Sequence, residues 1–256
     1  MTQSVAHGLG QKPRRRWLVS VLALAVFAAL IALGTWQVQR LAWKDALIET
    51  IAQRIASPPR PVSDIEALAA QTGDVEYWPV EAAGIFRHEA ESHFFATWQG
   101  QSGFFVYTPL ELADLKIVFV NRGFVPFDRK DPATRSEGQM AGPTNIVGLA
   151  RNTLSQKPSA IVPDNDPGKN IFYWKDIAAM TARAGFAPAA QVLPFFIDIG
   201  ENAVAGGLPA GGVTIVELPN NHLQYAVTWY GLAAALLGVF VVLIWRKPEP
   251  NENSAP

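Results

Sequence analysis

Histidine is the side chain best suited to bind iron or copper in this chain, which has four histidines, three methionines and no cysteine. His222 has the most informative position, three residues before Tyr225 at the start of a long apolar run. On a helix, His222, Tyr225 and Trp229 share one face. An imidazole there is a candidate axial ligand for a haem iron, with the macrocycle between helices near a membrane surface. The alternative is a histidine that only forms hydrogen bonds at the lipid–water boundary.

A second group of residues with suitable chemistry lies at the end of the first apolar run. Trp36, Gln37 and Arg40 leave that run together, and Trp36 and Arg40 are about one helical turn apart. The indole of Trp36 is able to cover an aromatic macrocycle, while the guanidinium of Arg40 pairs with a propionate. Alternatively, Trp36 and Arg40 act only as membrane anchors.

The remaining histidines indicate no comparable site. His88 and His93 flank the turn at residues 89–91, so a hairpin brings them together, but no third metal ligand is evident. Patterns typical of catalysis, such as Ser-His-Asp, H-E-x-x-H and G-x-S-x-G, are also missing. We therefore expect a protein that is not an enzyme.

Composition excludes several further classes of function. The absence of cysteine excludes disulfide frameworks, thiolate zinc sites, iron–sulfur clusters and covalent haem attachment. A formal net charge of −1 without a basic stripe predicts no nucleic-acid partner. Charged residues make up 17% of the chain, fewer than the about 25% of an average soluble protein.

Two charge-free stretches account for that deficit and predict transmembrane helices. Asp, Glu, Lys and Arg are absent from residues 17–39 and from residues 218–245. We predict membrane spans at 17–36 and 225–245, because about 20 helical residues cross the hydrocarbon core and aromatic residues suit both interfaces. A cleaved signal peptide is the alternative for the first stretch, and a buried core helix is the alternative for the second.

Positive charges next to the spans predict their orientation. Residues 1–16 carry one lysine and three arginines, and residues 246–256 carry one of each. The positive-inside rule therefore places both tails in the cytoplasm, the C-terminal one disordered, and residues 37–221 outside. No amphipathic transit peptide is evident before the first span. This favours a bacterial inner membrane with a periplasmic central domain, in contact with membrane lipid.

The central segment is predicted to be an α+β domain with an antiparallel β-sheet and helices on one side. The first span continues as a helix over 37–55, and the proline-rich residues 57–61 end it. Shorter helices are expected at 64–71, capped by Ser63, and at 174–184. Strands rich in Val, Ile, Phe and Tyr are expected at 79–87, 92–99, 103–110, 116–125, 145–151, 195–199 and 213–218.

Three long motifs resemble those of the SURF1 family, which includes Shy1 of yeast. They are LGTWQVQR at 33–40, VNRGFVP at 120–126 and NHLQYAVTWYG at 221–231. They occur in the family's order and cover nearly the whole chain. The resemblance implies a membrane protein with two spans and a large outer domain, acting as an assembly factor for haem-copper cytochrome c oxidase.

The resemblance also implies a cofactor and partners. It implies that the protein binds haem a and supports the maturation of subunit I of the oxidase. We expect that the protein receives haem a from haem A synthase and assists its insertion into subunit I. The family's histidine before the second span falls on His222. The predicted haem-binding residues are His222 as the iron ligand, Trp36, Gln37, Arg40, Tyr225 and Trp229. The alternative is a scaffold that stabilises oxidase assembly intermediates without binding haem.

The motif at 120–126 also has a structural interpretation. Residues 118–120 resemble a buried strand, and residues 121–123 suit a turn or a bulge. Within the motif, Arg122 is the better functional candidate, because an exposed arginine is able to contact a partner or a propionate.

Overall fold

The structure is a computed structural model that describes residues 12–186, 190–201, 204–214, 216 and 218–245. It contains two compact units: a helical unit formed by Met1–Glu49 and Leu218–Pro256, and a barrel unit formed by Thr50–Glu217. The predicted disordered tail at 246–256 and most of the predicted tail at 1–16 lie outside the described residues.

Four α-helices and seven β-strands make up the regular structure. The helices are α1 (Lys12–Ile55), α2 (Val62–Thr72), α3 (Ile177–Ala184) and α4 (His222–Trp245). The strands are β1 (Arg60–Pro61), β2 (Pro79–Phe86), β3 (Ser92–Trp98), β4 (Gln101–Leu112), β5 (Ile117–Pro126), β6 (Pro143–Asn152) and β7 (Val192–Ile199). Short 3₁₀ turns lie at His88–Ala90, Phe127–Arg129, Pro132–Gly138 and Ala205–Gly207.

The helical unit confirms the two predicted apolar helices. Both α1 and α4 are long and apolar enough to cross a membrane, and most of their apolar side chains are exposed. Exposing so large an apolar surface to water is unfavourable, so these helices require lipid or protein around them. α1 continues without a break through the predicted helix at 37–55 and ends at Ile55, just before the prolines.

Small residues and one tyrosine form the contact between α1 and α4. Gly34 is buried under the ring of Tyr230, and a Cβ at position 34 would lie 2.7 Å from that ring. Thr35 Oγ1 and Tyr230 Oη lie 3.1 Å apart and share a hydrogen bond. Ala226 and Ala233 are buried as well. Small residues let two helix backbones approach closely, and the tyrosine fills the space above the glycine.

Five strands of the barrel unit close into a ring. The sheet order is β1-β2-β6-β7-β5-β4-β3, and β2 pairs with β4 as well as with β6. Neighbouring strands are antiparallel, except that β5 and β7 are parallel and β1 and β2 are parallel. The central domain is rich in strands, as expected. The prediction of an antiparallel sheet with helices on one side is wrong in detail, because the sheet is mixed and closed.

The ring closes because the end of β2 pairs with a neighbouring strand on each of its two edges. Residues 79–85 of β2 pair with β6, and its last three residues, 84–86, also pair with residues 110–112 of β4. A Cβ at Gly84 would overlap the carbonyl oxygen of Glu111, so the glycine permits the two backbones to approach. Closure leaves the five ring strands without free edges.

Alternating residues of the ring strands fill the barrel interior, with Ile65 of α2 packed among them. The interior includes Val80, Phe86, Leu110, Val118, Val120, Ile146, Phe195 and Ile197. Phe119 and Phe196 instead face outward and pack with Phe172 and Met180, the latter on α3. β5 is therefore buried on both faces, which explains its nearly continuous run of apolar residues.

Two details of the short helices differ from the prediction. Ser63 does not cap α2, because that helix begins at Val62, two residues before the predicted start, and Ser63 lies inside its first turn. The helix predicted at 174–184 begins only at Ile177. Its start is set by Asp176, whose Oδ1 accepts a 2.9 Å hydrogen bond from the backbone N–H of Ala179.

One predicted strand, at 213–218, is not found. Its described residues lie in no strand, and residues 215 and 217 lie outside the described part of the chain. Thr214 instead donates its hydroxyl to Oδ2 of Asp198 at 3.0 Å. This side-chain hydrogen bond links Thr214 to β7.

The motif at 120–126 forms the bulge that one interpretation predicts, but its arginine is not exposed. The β4–β5 register shifts between Phe105 and Tyr107, so that Arg122 and Gly123 together oppose Val106. The extra residue interrupts the side-chain alternation of β5. The prediction of an exposed Arg122 is wrong, because the bulge directs this side chain into the protein, where its exposure is 0%.

Replacing Gly123 with alanine tests the strained bulge. Gly123 has φ 119°, and a Cβ there would overlap the carbonyl oxygen of Ala210. We expect Gly123→Ala to lower the free energy of unfolding by about 2–4 kcal/mol in urea titrations of the detergent-solubilised protein.

Gly100→Ala is the matched control, because Gly100 has φ 79° and no atom lies within 4 Å of the position that a Cβ would occupy there. It should cost about 1 kcal/mol, from backbone strain alone. Equal losses in the two variants would contradict the proposed steric overlap.

Candidate functional site

His222 and Gln37, which come from opposite ends of the chain, are in direct contact. His222 is the first residue of α4 and is half-buried, while Gln37 lies in α1 with only 8% of its surface exposed. His222 Nδ1 and Gln37 Oε1 are 2.7 Å apart. The packing of the two helices thus brings together one residue from each of the two groups predicted to carry the chemistry.

A second polar contact holds the first turn of α4 against α1. Asn220 Oδ1 accepts a hydrogen bond from the backbone N–H of His222 at 3.4 Å, which helps to start the helix. The same side chain donates through Nδ2 to Oδ1 of Asp45 at 2.7 Å. Asn220 therefore both caps α4 and ties it to α1, and this restricts the position of the imidazole.

The hydrogen bond to Gln37 determines which nitrogen of His222 is free. An amide oxygen only accepts, so Nδ1 of His222 must carry the hydrogen that it donates. In the neutral imidazole, Nε2 then keeps its lone pair. Ligating histidines in proteins typically have this arrangement, in which the second ring nitrogen donates to an oxygen that orients the ring.

The other predicted site residues have different surroundings. Trp36 and Tyr225 are exposed, and Trp229 is half-buried. The guanidinium of Arg40 lies over the ring of Trp43, with 3.9 Å between its carbon and the ring centroid. Arg40 thus stacks on Trp43, three residues further along α1.

Sequence reasoning missed three contacts of this site. It did not single out Trp43 under Arg40, Asp45 as the partner of Asn220, or Tyr230 over the glycine of α1. Trp43 follows Arg40 by three residues, so helical spacing was a usable signal for that pair. The other two contacts join distant parts of the chain, and no local pattern indicates them.

A second polar cluster lies in the barrel unit around Glu91. Arg135 contacts both carboxylate oxygens of Glu91, and His93 Nε2 lies 3.0 Å from its Oε1. Asn170 Nδ2 lies 2.8 Å from His93 Nδ1. Since Asn170 donates there, His93 carries its hydrogen on Nε2 and donates it to Glu91. Burial acts to raise the pKa of Glu91, but the hydrogen bonds from His93 and Arg135 outweigh it and lower that pKa.

Arg122 extends this cluster toward His88. Its Nη1 lies 3.2 Å from His88 Nδ1, its Nη2 donates to the carbonyl oxygen of Gly138, and its guanidinium lies over Phe86. Burial lowers the pKa of Arg122 to about 10. Burial also lowers the pKa of His88, and the nearby charge of Arg122 acts in the same direction, so His88 is held neutral.

Both ring nitrogens of His88 and of His93, the two histidines of the predicted hairpin, have hydrogen-bond partners. His88 binds Arg122 and the carbonyl oxygen of Met140, and His93 binds Glu91 and Asn170. Within the described residues, no group of three or more histidine or acidic side chains is placed to hold a metal ion.

Comparison with known proteins identifies the family. The family model described as "SURF1 family" matches residues 24–234, a region that contains both Gln37 and His222. This chain belongs to the SURF1 family. Its resemblance to that family in three motifs is thereby confirmed over most of its length. Membership in the SURF1 family implies a role in the assembly of cytochrome oxidase.

Animal members of the SURF1 family are similar over most of their length. Surfeit locus protein 1 of Rattus norvegicus is 37% identical over 228 residues, which cover 83% of this chain and 71% of that protein. The Xenopus tropicalis protein of the same name is 38% identical, covering 91% and 76%. The Homo sapiens protein is 35% identical, covering 86% and 74%.

The cluster around Glu91 predicts that acid destabilises this SURF1-family protein. Burial lowers the pKa of both His88 and His93 below 6.5 in the folded state. The unfolded chain therefore binds protons first, and stability that is complete above pH 6.5 is lost as the pH falls below it. The loss is about 1.4 kcal/mol per pH unit for each proton. Glu91 adds a further loss below about pH 4.5, because its folded pKa is also lowered.

Urea titrations of the detergent-solubilised protein between pH 7.5 and pH 5 measure this dependence. The double variant His88→Gln, His93→Gln should be less stable at pH 7.5 but should show a smaller change with pH. A wild type and double variant with the same pH slope would disprove this origin of the acid sensitivity.

Proposed function

We propose that this protein is a carrier for haem a in the assembly of cytochrome c oxidase, with Nε2 of His222 as the axial ligand of the iron. The observation that carries the proposal is the 2.7 Å hydrogen bond between His222 Nδ1 and Gln37 Oε1. It orients the ring and leaves Nε2 with a free lone pair, which is the form that binds iron.

The residues around His222 suit a haem group. Trp36 and Tyr225 offer exposed aromatic surface, and half-buried Trp229 shares the helix face of Tyr225. The exposed guanidinium of Arg40 offers donors for a propionate. With no cysteine in the chain, histidine is the strongest iron ligand available. When bound, the haem supplies its iron to His222 and its propionates to Arg40, and the protein supplies orientation.

The proposed chemistry is binding and release, not catalysis. A single protein ligand suits a carrier, because exchange of one bond is enough to pass the haem onward. Haem A synthase is the proposed donor, and subunit I of the oxidase is the proposed acceptor. In this scheme no bond of the porphyrin is made or broken by the protein.

The proposed location is a bacterial inner membrane, with the central domain in the periplasm. The support is the excess of positive charge at 1–16 and 246–256, next to two helices that are long and apolar enough to span. His222 and Gln37 would then lie at the outer end of both spans, where membrane lipid meets the periplasm.

Haem content of purified variants tests the proposal. After co-expression with haem A synthase, the wild type should show haem absorption, and His222→Ala should lose it. Gln37→Leu keeps the size of the side chain but removes the acceptor, so it should weaken haem binding by about tenfold or more. Leu223→Ala is the control, because Leu223 is exposed on the same helical turn and should leave the spectrum unchanged.

Two results would overturn the assignment. A His222→Ala variant with the full haem spectrum would exclude this ligand. A wild type without haem that still crosslinks to subunit I would favour the scaffold that stabilises assembly intermediates without binding haem.

A further inference from the structure

We propose that a cavity in the barrel unit binds a small oxyanion, independently of the haem site proposed above. The cavity has a volume of about 420 Å³, and its walls include His88, Glu91, His93, Gln139 and Arg183. A volume of this size lies within the usual range of small-molecule sites. The charge around the cavity, its unused hydrogen-bond donors and the shape of its cationic groups all favour an anion.

Positive charge exceeds negative charge around the cavity. Arg135 pairs with Glu91, the buried carboxylate of the cluster. Arg122 and Arg183 form no ion pair with a carboxylate of the described residues. They bind neutral acceptors instead, since Arg183 Nη1 donates to the backbone oxygen of Glu91 at 3.0 Å and Arg122 binds His88 and Gly138. Neither guanidinium is therefore paired directly with a carboxylate, and the one carboxylate whose charge favours both, Glu91, is already bound by Arg135.

A third cation strengthens this excess. Lys130 donates through Nζ to the backbone oxygen of Lys169 at 2.8 Å. Burial lowers its pKa, and the charge of Arg183 lowers it further. Burial likewise lowers the pKa of Arg183. The charge of Arg183 thus disfavours the charged form of Lys130, and an anion bound near both would relieve that repulsion.

The acidic and imidazole groups around the cavity do not cancel this charge. Glu89 also lines the cavity, but it is exposed, so water screens its carboxylate. Burial lowers the pKa of both His88 and His93 and outweighs the opposite effect of their hydrogen bonds to Met140 and Glu91, so the neutral imidazoles are favoured. Glu91 is already bound by Arg135 and His93.

Two buried hydrogen-bond donors of this region are unused. Gln139 Nε2 and Arg122 Nε are buried and have no acceptor among the described residues. Gln139 lines the cavity itself. Buried donors in proteins are nearly always paired, so each unpaired one requires an explanation. Since both groups only donate, the missing group is an acceptor.

Oxyanions are the ligands that fit this set. A guanidinium presents N–H groups in a plane that matches two oxygens of a carboxylate or a phosphate. Arg183 on α3 contributes such a group at the cavity wall, and Gln139 contributes an amide donor. The ligand is therefore a small molecule that carries a phosphate or a carboxylate group.

Calorimetric titration of the full-length protein in detergent micelles tests the site. Inorganic phosphate and succinate serve as separate probes at low ionic strength, which distinguishes a phosphate ligand from a carboxylate ligand. We expect saturable binding of one equivalent of at least one probe. Arg183→Gln keeps a donor but removes the charge, and it should weaken binding at least tenfold.

Two further variants make the result decisive. Arg129→Gln is the matched control, because Arg129 is an exposed arginine that also donates to a backbone oxygen, that of Thr134, yet does not line the cavity. It should bind the probe within twofold of the wild type. Gln139→Leu removes the unused amide donor and should weaken binding even if Arg183→Gln fails to fold.

Three outcomes would overturn the inference. The first is that the wild type binds neither probe. The second is that the wild type and both cavity variants bind a probe equally well. The third is that Arg129→Gln weakens binding as much as Arg183→Gln does. Each would mean that the arginines serve only to hold backbone carbonyl groups in place.

Discussion

The pairing of β2 with both β6 and β4 is the constraint on which the barrel unit depends. It requires glycine at position 84, where a side chain would meet the backbone of β4. A closed ring also bends its strands strongly, and a β-bulge is one way in which a strand accommodates such bending. The bulge at Arg122 and Gly123 interrupts the side-chain alternation of β5 and buries a guanidinium. One backbone arrangement thus leads to the cationic cluster beside the cavity.

The cluster shows how burial and pairing act together on charged groups. Glu91 stays ionised in the interior because Arg135 and His93 donate to it, and Asn170 fixes the imidazole by donating to its other nitrogen. The hydrogen-bond partners of Arg122 are the imidazole of His88 and the carbonyl oxygen of Gly138, not a carboxylate. Burial lowers the pKa of Arg122 to about 10. Arg135 is thus paired with a carboxylate and Arg122 is not, and this difference supports the proposed anion site.

In the helical unit, the buried amide of Gln37 restricts how α1 and α4 pack, as the paired charges do in the barrel unit. Gln37 is buried, and its oxygen accepts a hydrogen bond from His222. Leaving that oxygen unpaired would cost about 1–3 kcal/mol, so the pair favours one arrangement of the two helices. The glycine of α1 under Tyr230 and the buried alanines of α4 permit the close approach on which this contact depends.

The sequence by itself determined both apolar helices, the continuation of α1 to Ile55 and six strands, because hydrophobic runs, periodicity and prolines report burial and local backbone geometry. It also excluded thiolate ligands, because the chain has no cysteine, and it carried the family's three motifs. Only the tertiary structure decided that the sheet closes, that Arg122 is buried and that Gln37, rather than Trp36 or Arg40, contacts His222. The physical reason is that these features depend on residues far apart in the chain, 185 positions in the case of Gln37 and His222. Local patterns specify which residues are buried, but not which of them meet.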